Sequence, residues 1–121
     1  MRAVPRANSA PELIVRKELH RLGLRFRLHR KNLPGTPDIV LAKHRAVVFV
    51  HGCFWHRHGC SKTTMPKTRT EFWQQKFDAN EARDARAESM LYELGWRVLV
   101  VWECETHDLV KLGRRLRLFF A

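Results

Sequence analysis

Residues 48–60 read VFVHGCFWHRHGC and concentrate the side chains with the strongest chemistry in this chain. The stretch holds two of the three cysteines and three of the seven histidines. Thiolate sulfur and imidazole nitrogen bind zinc in proteins, and imidazole also exchanges protons near neutral pH. The stretch therefore predicts a metal site, acid–base chemistry, or both.

The cysteines supply most of a closed metal site. Cys53, His58 and Cys60 lie in one predicted loop, and Cys104 follows a predicted strand far downstream. Three thiolates and one imidazole favour a tetrahedral Zn2+ with bonds of about 2.0 to 2.3 Å, and they leave no position open for substrate. We therefore expect a structural zinc. Two alternatives stay open: His56 competes with His58 as the ligand, or Cys104 is an ordinary buried thiol.

A carboxylate and the remaining histidines are expected to meet at one edge of a sheet. The β-branched runs DIVLA (38–42) and AVVFVH (46–51) predict two adjacent strands near the sheet centre. If they pair antiparallel, the start of one lies beside the end of the other, which places Asp38 near His51. His51 and His56 are not needed by the zinc, so two imidazoles near a carboxylate indicate catalysis.

The charge of the chain indicates a polyanionic partner. Lys and Arg number 23 against 12 Asp and Glu, which gives a net charge of +11 and a pI near 10.6. Such a balance is typical of proteins that meet nucleic acid. The alternative is a soluble protein that happens to be basic, although the basic residues recur along the whole chain.

Length and hydropathy limit the organisation and the location. A chain of 121 residues suits one core, so we expect residues 1–10 to form a short polar leader and residues 11–121 a single domain. No apolar run approaches the roughly 18 residues of a membrane span, and three cysteines cannot complete a disulfide framework. We expect a cytoplasmic protein without a membrane partner.

Four strands and three helices are expected in the order αβββαβα. Ser9 is placed to cap a first helix that ends near Gly23, and LRFRLHR (24–30) alternates like a half-buried strand. This helix is expected to bury Leu13, Val15, Leu19 and Leu22.

The second half of the chain continues the pattern. A Thr68–Glu71 capping box predicts a long helix to about Leu94, closed by Gly95, and WRVLVVWE predicts the fourth strand. Thr106 is placed to cap the last helix. The expected core-facing residues of these two helices are Phe72, Phe77, Met90, Leu91, Leu94, Leu109, Leu112, Leu116 and Phe119 or Phe120.

The segments that carry these residues resemble one known family from about Pro11 to Cys104. LPGTPDIV followed by VFVHG resembles the core of the PD-(D/E)xK nucleases. The longer stretches LPGTPDIVLAKHRAVVFVHGCFWHRHGC and TRTEFWQQKFDANEARDARAESMLYELGWRVLVVWEC are similar to the very-short-patch repair (Vsr) mismatch endonucleases. The resemblance implies an α/β fold with a restriction-endonuclease-like core (αβββαβ), a mixed four-stranded sheet flanked by helices, and a structural zinc site.

The resemblance also implies an activity and partners. Members of this family nick one strand beside a T:G mismatch in double-stranded DNA, in a Mg2+-dependent hydrolysis that begins the repair of deaminated 5-methylcytosine. We expect a monomer that acts on such DNA, with mismatch-repair proteins as further partners. The competing interpretation is a zinc-stabilised DNA-binding module that does not cleave.

Site residues follow from the resemblance position by position. Asp38 is expected to bind Mg2+ through its carboxylate and Val50 through its backbone carbonyl. His51 and His56 stand where the wider nuclease group has a lysine, and they are expected to act as acid and base, with Asp84 orienting His51. Without the family, Asp84 would be interpreted as a solvated helix charge beside two arginines.

Aromatic residues complete the family pattern. Phe54, Trp55 and Trp73 are expected to insert into the base stack beside the mismatch, where unstacking costs least. Trp73 has the alternative of a core anchor. Glu12 is similar in position to an acidic residue near the active site of the family. This assignment is weaker than that of Asp38. Only MRAVPRANSA precedes the first core helix, where family members have a helical extension that clamps DNA.

Overall fold

The computed structural model of the chain describes residues 9–52 and 68–120. Within these ranges the elements follow the predicted order. They are α1 (Ala10–Arg21), β1 (Arg27–Leu28), β2 (Ile39–Leu41), β3 (Ala46–His51), α2 (Thr70–Glu93), β4 (Arg97–Trp102) and α3 (Leu109–Phe119), with 3-10 turns at Ala42–His44 and Glu103–His107. None of the helices in these ranges is long and apolar enough to span a bilayer.

The strands form one mixed sheet in the order β1-β2-β3-β4. β2 pairs antiparallel with both β1 and β3, whereas β3 and β4 are parallel, with His51 opposite Trp102. A parallel pair requires a long crossover, which α2 provides. The predicted mixed sheet and the central position of β2 and β3 are therefore confirmed.

Side chains alternate between two apolar layers because successive strand residues point to opposite faces. On one face, Ile39 and Val48 pack with α1 and α3, through residues that include Leu19 and Leu116. On the other face, Val47 and Phe49 pack with Leu91 of α2 and with Trp96. The sheet is thus covered on both sides, and the ends of β2 and β3 lie between the helical layers.

The first helix begins as predicted but buries a different set of residues. The Ser9 hydroxyl accepts a hydrogen bond from the Glu12 amide at 3.4 Å, and Gly23 follows the helix with φ of 77°. Leu13, expected in the core, is 44% exposed, whereas Glu12 is 1% exposed. The buried face of α1 therefore includes a carboxylate, which the hydrophobic pattern did not predict.

The long helix departs from prediction at its start and along its buried face. Arg69, with φ of 55°, is the N-cap residue and makes no side-chain capping bond, so the Thr68–Glu71 capping box is wrong. At 1.5 Å per residue α2 is about 36 Å long, well beyond the roughly 20 Å of a six-residue strand. Most of its surface therefore faces solvent: Phe77 and Leu91 are buried as expected, but Phe72, Met90 and Leu94 are exposed.

The start of α3 and the length of β1 also differ from the predicted ones. The Asp108 carboxylate caps α3 by accepting from the Lys111 amide at 3.1 Å. Thr106 instead lies buried in the preceding 3-10 turn, and its hydroxyl donates to the Glu103 carbonyl at 2.7 Å. The later start of α3 leaves Leu109 half exposed. β1 spans two residues instead of the predicted seven, because His29 takes φ of 47° and ends the strand.

Candidate active site

The antiparallel pairing of β2 and β3 places Asp38 beside the end of β3. One carboxylate oxygen of Asp38 (Oδ2) accepts a hydrogen bond of 2.7 Å from the Val50 amide. In an extended strand the N–H and C=O of one residue point to the same neighbour, so the Val50 carbonyl lies on the Asp38 side as well. The Asp38 carboxylate and the Val50 carbonyl, which the family resemblance implies as Mg2+ ligands, thus lie at the same end of the sheet.

Two more side chains join Asp38 from neighbouring elements. Glu12 comes from the first turn of α1, and His29 follows β1. The His29 Nε2 lies 3.0 Å from Glu12 Oε1, and one ligand atom from each of the three residues lies within 4.8 Å of the other two. Arg16, one helical turn after Glu12, contacts the other Glu12 oxygen. His29 was not predicted as a site residue.

The electrostatics of this cluster perturb Asp38 strongly. Burial, and after it the neighbouring Glu12 carboxyl group, raise the pKa of the Asp38 carboxyl, which lies at about 7 instead of 3.8. The Val50 hydrogen bond and the His29 imidazole act in the opposite direction. A divalent cation favours the charged form of both carboxylates, so binding would release the Asp38 proton.

We expect stability without divalent cations to fall as the pH rises through about 7, because the folded pKa of Asp38 lies above the unfolded value. Its contribution is complete below the unfolded pKa and is lost as pH rises through the folded pKa. Between pH 5 and pH 8 the loss is on the order of 3 kcal/mol, because Asp38 stays protonated in the folded state over about two pH units of this range and each unit corresponds to about 1.4 kcal/mol. Urea unfolding at pH 5 and pH 8, without added Mg2+, measures this dependence.

Asp38→Asn should remove that part of the pH dependence. Asp78→Asn is the matched control, because Asp78 is exposed on α2, where it accepts a hydrogen bond from Gln74 one turn earlier. Identical pH slopes in the wild-type protein and Asp38→Asn would contradict the assignment.

The donor atoms of this cluster fit a hard divalent cation. Mg2+ binds through oxygen, commonly with one or two protein carboxylates and several waters. Asp38, Glu12 and the Val50 carbonyl offer such oxygens at one end of the sheet, and the raised pKa of Asp38, caused first by burial and then by Glu12, fits a site where a bound cation would favour the charged carboxylate. Asp38 and Val50 would hold the ion, with Glu12 beside them.

A second pair of titratable groups, His51 and Asp84, lies where the end of β3 meets α2. His51 is 8% exposed, between the rings of Phe49 and Trp102 at centroid distances of 5.6 and 5.3 Å. Its Nε2 lies 4.0 Å from Asp84 Oδ2 on α2. Asp84 is therefore directed at an imidazole and is not simply a solvated helix charge. At 4.0 Å the contact is an ion-pair distance, longer than a hydrogen bond.

The loop before Asp38 is fixed against the helix that carries Asp84. Gly35 has φ of 73°, and a Cβ built there would lie 2.7 Å from the Ala87 Cβ and 3.2 Å from the Phe49 ring. Glycine is required by both the backbone conformation and the close approach. The Gly35–Ala87 contact therefore joins the Asp38 loop to the Asp84 helix. Gly35 precedes Asp38 by three residues, and Ala87 follows Asp84 by three.

Several predicted site residues fall outside the described ranges. They are Cys53, Phe54, Trp55, His56, His58 and Cys60. Cys104 is half-buried two residues after β4, and of the four predicted zinc ligands it is the one that lies within the described ranges. Trp73 is half-buried and stacks on buried Phe77 with centroids 6.0 Å apart, so its ring has both a core contact and an exposed part.

Comparisons with known proteins agree with this arrangement. The family model described as "DNA mismatch endonuclease Vsr" matches residues 1–62. The chain is 56% identical to the type II nicking enzyme V.XorIIP of Xanthomonas oryzae, over 97% of this chain and 86% of that protein. It is 48% identical to the DNA mismatch endonuclease Vsr of Escherichia coli, over 93% of this chain and 72% of that one.

A solved structure shares the fold at low sequence identity. The catalytic domain of the homing endonuclease I-Bth0305I matches with a TM-score of 0.66 and 22% identity, covering 93% of this chain and 94% of the domain. The element order and mixed sheet described above are therefore those of a known nuclease fold.

Proposed function

Since this chain belongs to the Vsr family of DNA mismatch endonucleases, we propose that it nicks one strand of double-stranded DNA beside a T:G mismatch. We propose Mg2+-dependent hydrolysis of the phosphodiester bond. The observation that carries this proposal is the position of a carboxylate cluster beside Val50 and of buried His51, paired with half-buried Asp84, at the end of the same strand. A module that only binds DNA has no need for this pairing.

Each residue of the site has a role that its position supports. Asp38 is held by the Val50 amide and faces Glu12 and His29, so its carboxylate is placed to share a cation with this cluster. Bound Mg2+ supplies the positive charge that stabilises negative charge developing on the phosphate. His51, largely screened from water, can exchange a proton with the attacking water or the leaving oxygen, while Asp84 keeps the ring oriented. His56 is proposed for the complementary proton transfer.

The surface around the site suits DNA. With a net charge of +11 the protein attracts phosphates. At the start of α2, Arg69 and Lys76 lie over the ring of Phe72, at 4.4 and 5.6 Å from its centroid, and Trp73 is adjacent. Aromatic rings interleaved with cations are typical of nucleic-acid surfaces. We propose that Phe54, Trp55 and Trp73 insert beside the mismatch, where base pairs open at least cost.

The test is a strand-specific nicking assay on duplexes that differ at one base pair. We expect a nick in the T-containing strand of a T:G duplex with Mg2+, and none in the T:A or C:G duplex or without added divalent cation. Labelling each strand separately identifies the nicked strand. Tight binding to T:G DNA without a nick in any flanking sequence would favour the non-cleaving, zinc-stabilised binding module.

A structural zinc is proposed alongside the catalytic cation. Cys104 follows β4 at the end of the sheet where His51 ends β3, so a ligand set with Cys53, His58 and Cys60 would join the two parallel strands. We expect one zinc per chain by elemental analysis. Cys104→Ser should lose the zinc and lower the melting temperature, because binding of structural zinc contributes directly to folding. Retention of both zinc and stability in this variant would remove Cys104 from the site.

The biological setting follows from the activity. We propose that the protein acts as a monomer on double-stranded DNA in the bacterial cytoplasm. Cooperation with mismatch-repair proteins is proposed from the family alone.

A further inference from the structure

We propose that His29 is a further ligand of the cation site, together with Glu12, and that its imidazole nitrogen makes the site favour Mn2+ over Mg2+. The proposal deepens the proposed cation-dependent cleavage and rests on it for the biological use of the site. The binding of the ion itself can be measured separately.

The distances within the cluster match those between ligands of one ion. In an octahedral site with bonds of about 2.1 Å, adjacent ligand atoms are about 3.0 Å apart. The His29 Nε2 lies 3.0 Å from Glu12 Oε1 and 3.1 Å from Oε2, and an Asp38 oxygen lies within 4.8 Å of both residues' ligand atoms. The His29–Glu12 separation therefore equals that of adjacent ligands of one ion, and Asp38 lies close enough to join them after a small shift.

The backbone at His29 holds the ring in this position. His29 has φ of 47°, in the left-handed region that residues other than glycine seldom adopt. Its amide donates to the Asp38 carbonyl at 3.1 Å, which links it directly to another member of the cluster. Strained conformations of this kind persist where the surroundings enforce them and are concentrated at functional sites.

A purely structural ion pair explains less of the geometry. Glu12 already has a cationic partner in Arg16, four residues along the same helix, which contacts Oε2. That pairing explains the contact at Glu12 Oε2, but it does not account for Asp38, whose half-buried carboxylate lies beside Glu12 and His29. A metal ion bound between Glu12 Oε1, Asp38 and His29 satisfies both carboxylates and uses the nitrogen, while Arg16 keeps its contact.

The preference for Mn2+ follows from the ligand types. Mg2+ takes oxygen ligands almost exclusively, whereas first-row transition ions accept imidazole nitrogen together with carboxylate oxygen. Mn2+ tolerates the same carboxylates as Mg2+, so it is the transition ion that differs from Mg2+ mainly in accepting the nitrogen. Zn2+ is unsuitable as a probe, because the cysteines of this chain would bind it as well.

The experiment measures Mn2+ binding by the loss of the free-ion EPR signal, with Mg2+ as competitor, at fixed pH. We expect His29→Gln to weaken Mn2+ binding by about tenfold or more, and to change the Mg2+ affinity much less. His20→Gln is the matched control, because it removes one exposed imidazole that lies about 12 Å from Glu12 along the axis of α1. Equal losses for both ions, or unchanged Mn2+ binding in His29→Gln, would overturn the proposal.

A measurement on the wild-type protein covers the case in which His29→Gln fails to fold. Electron spin echo modulation of bound Mn2+ detects directly coordinated imidazole nitrogen. Its absence in the wild-type protein would overturn the proposal, as would its persistence in a folded His29→Gln variant. If the protein binds Mn2+ through His29 but does not nick T:G DNA, the proposed function fails and the ligand assignment stands.

Discussion

Asp38→Asn is expected to abolish Mg2+-dependent nicking of T:G DNA while leaving DNA binding nearly unchanged. Asparagine keeps the shape of the side chain and can still accept from the Val50 amide, but it removes the negative charge that we propose holds the cation. Loss of metal-ion stabilisation should lower the single-turnover rate by about 10³-fold or more, which corresponds to roughly 4 kcal/mol of barrier. Binding measured by mobility shift should persist, since most affinity comes from phosphate contacts elsewhere on the basic surface.

Asp78→Asn provides the matched charge change for this experiment. Asp78 is exposed on α2, so its variant should cleave at the wild-type rate. If Asp38→Asn also nicks at that rate with Mg2+, Asp38 is not a ligand of the catalytic ion. Raising the Mg2+ concentration separates weakened ion binding, which is recovered at high Mg2+, from a defect in the chemical step, which is not.

His51→Ala is expected to have the second-largest effect, and Asp84→Asn a smaller effect through the same imidazole. Loss of a positioned acid or base lowers rates by about 10²- to 10⁴-fold. Asp84→Asn keeps the imidazole but weakens its orientation, so we expect a drop of about 10- to 100-fold. Because Asp84 acts through His51, the double variant should be about as slow as His51→Ala alone.

The double-mutant cycle distinguishes this coupling from two independent roles. Multiplicative losses in the double variant would show that Asp84 contributes without His51, for example as a charge near the DNA. Glu81→Gln, an exposed carboxylate one turn earlier on α2, is the control and should leave the rate unchanged. The pH–rate profile gives a second criterion: Asp84→Asn should shift the limb that reports the imidazole, whereas Glu81→Gln should not.

Sequence reasoning located the central strands because their signals are local. The β-branched runs on either side of KHR specify β2 and β3, and antiparallel pairing then places Asp38 at the end of β3 without any further information. Gly95, with φ of 86°, ends α2 where expected, since glycine adopts this conformation at little cost.

The remaining features depend on contacts distant in sequence. Thr106 and Asp108 are both good capping residues, and the buried hydrogen bond from Thr106 to Glu103 decides between them. Glu12 lies on the core face of α1 although its polarity predicts exposure, because the site places His29 and Asp38 against it. His29 carries no spacing signal at all. Its place beside Glu12 and Asp38 depends on a left-handed backbone and on the approach of α1, neither of which the sequence displays.

The contact between Gly35 and Ala87 has a consequence for how this protein tolerates sequence change. The ideal Cβ at Gly35 would lie within 2.7 Å of the Ala87 Cβ, so the largest side chain allowed at one position depends on the other. Substitutions at 35 and 87 should therefore show strong epistasis: each bulky replacement alone displaces both the Asp38 loop and the Asp84 helix. In a combinatorial library, functional variants should retain glycine at 35 and a small residue at 87, even when the neighbouring exposed positions of α2 vary freely.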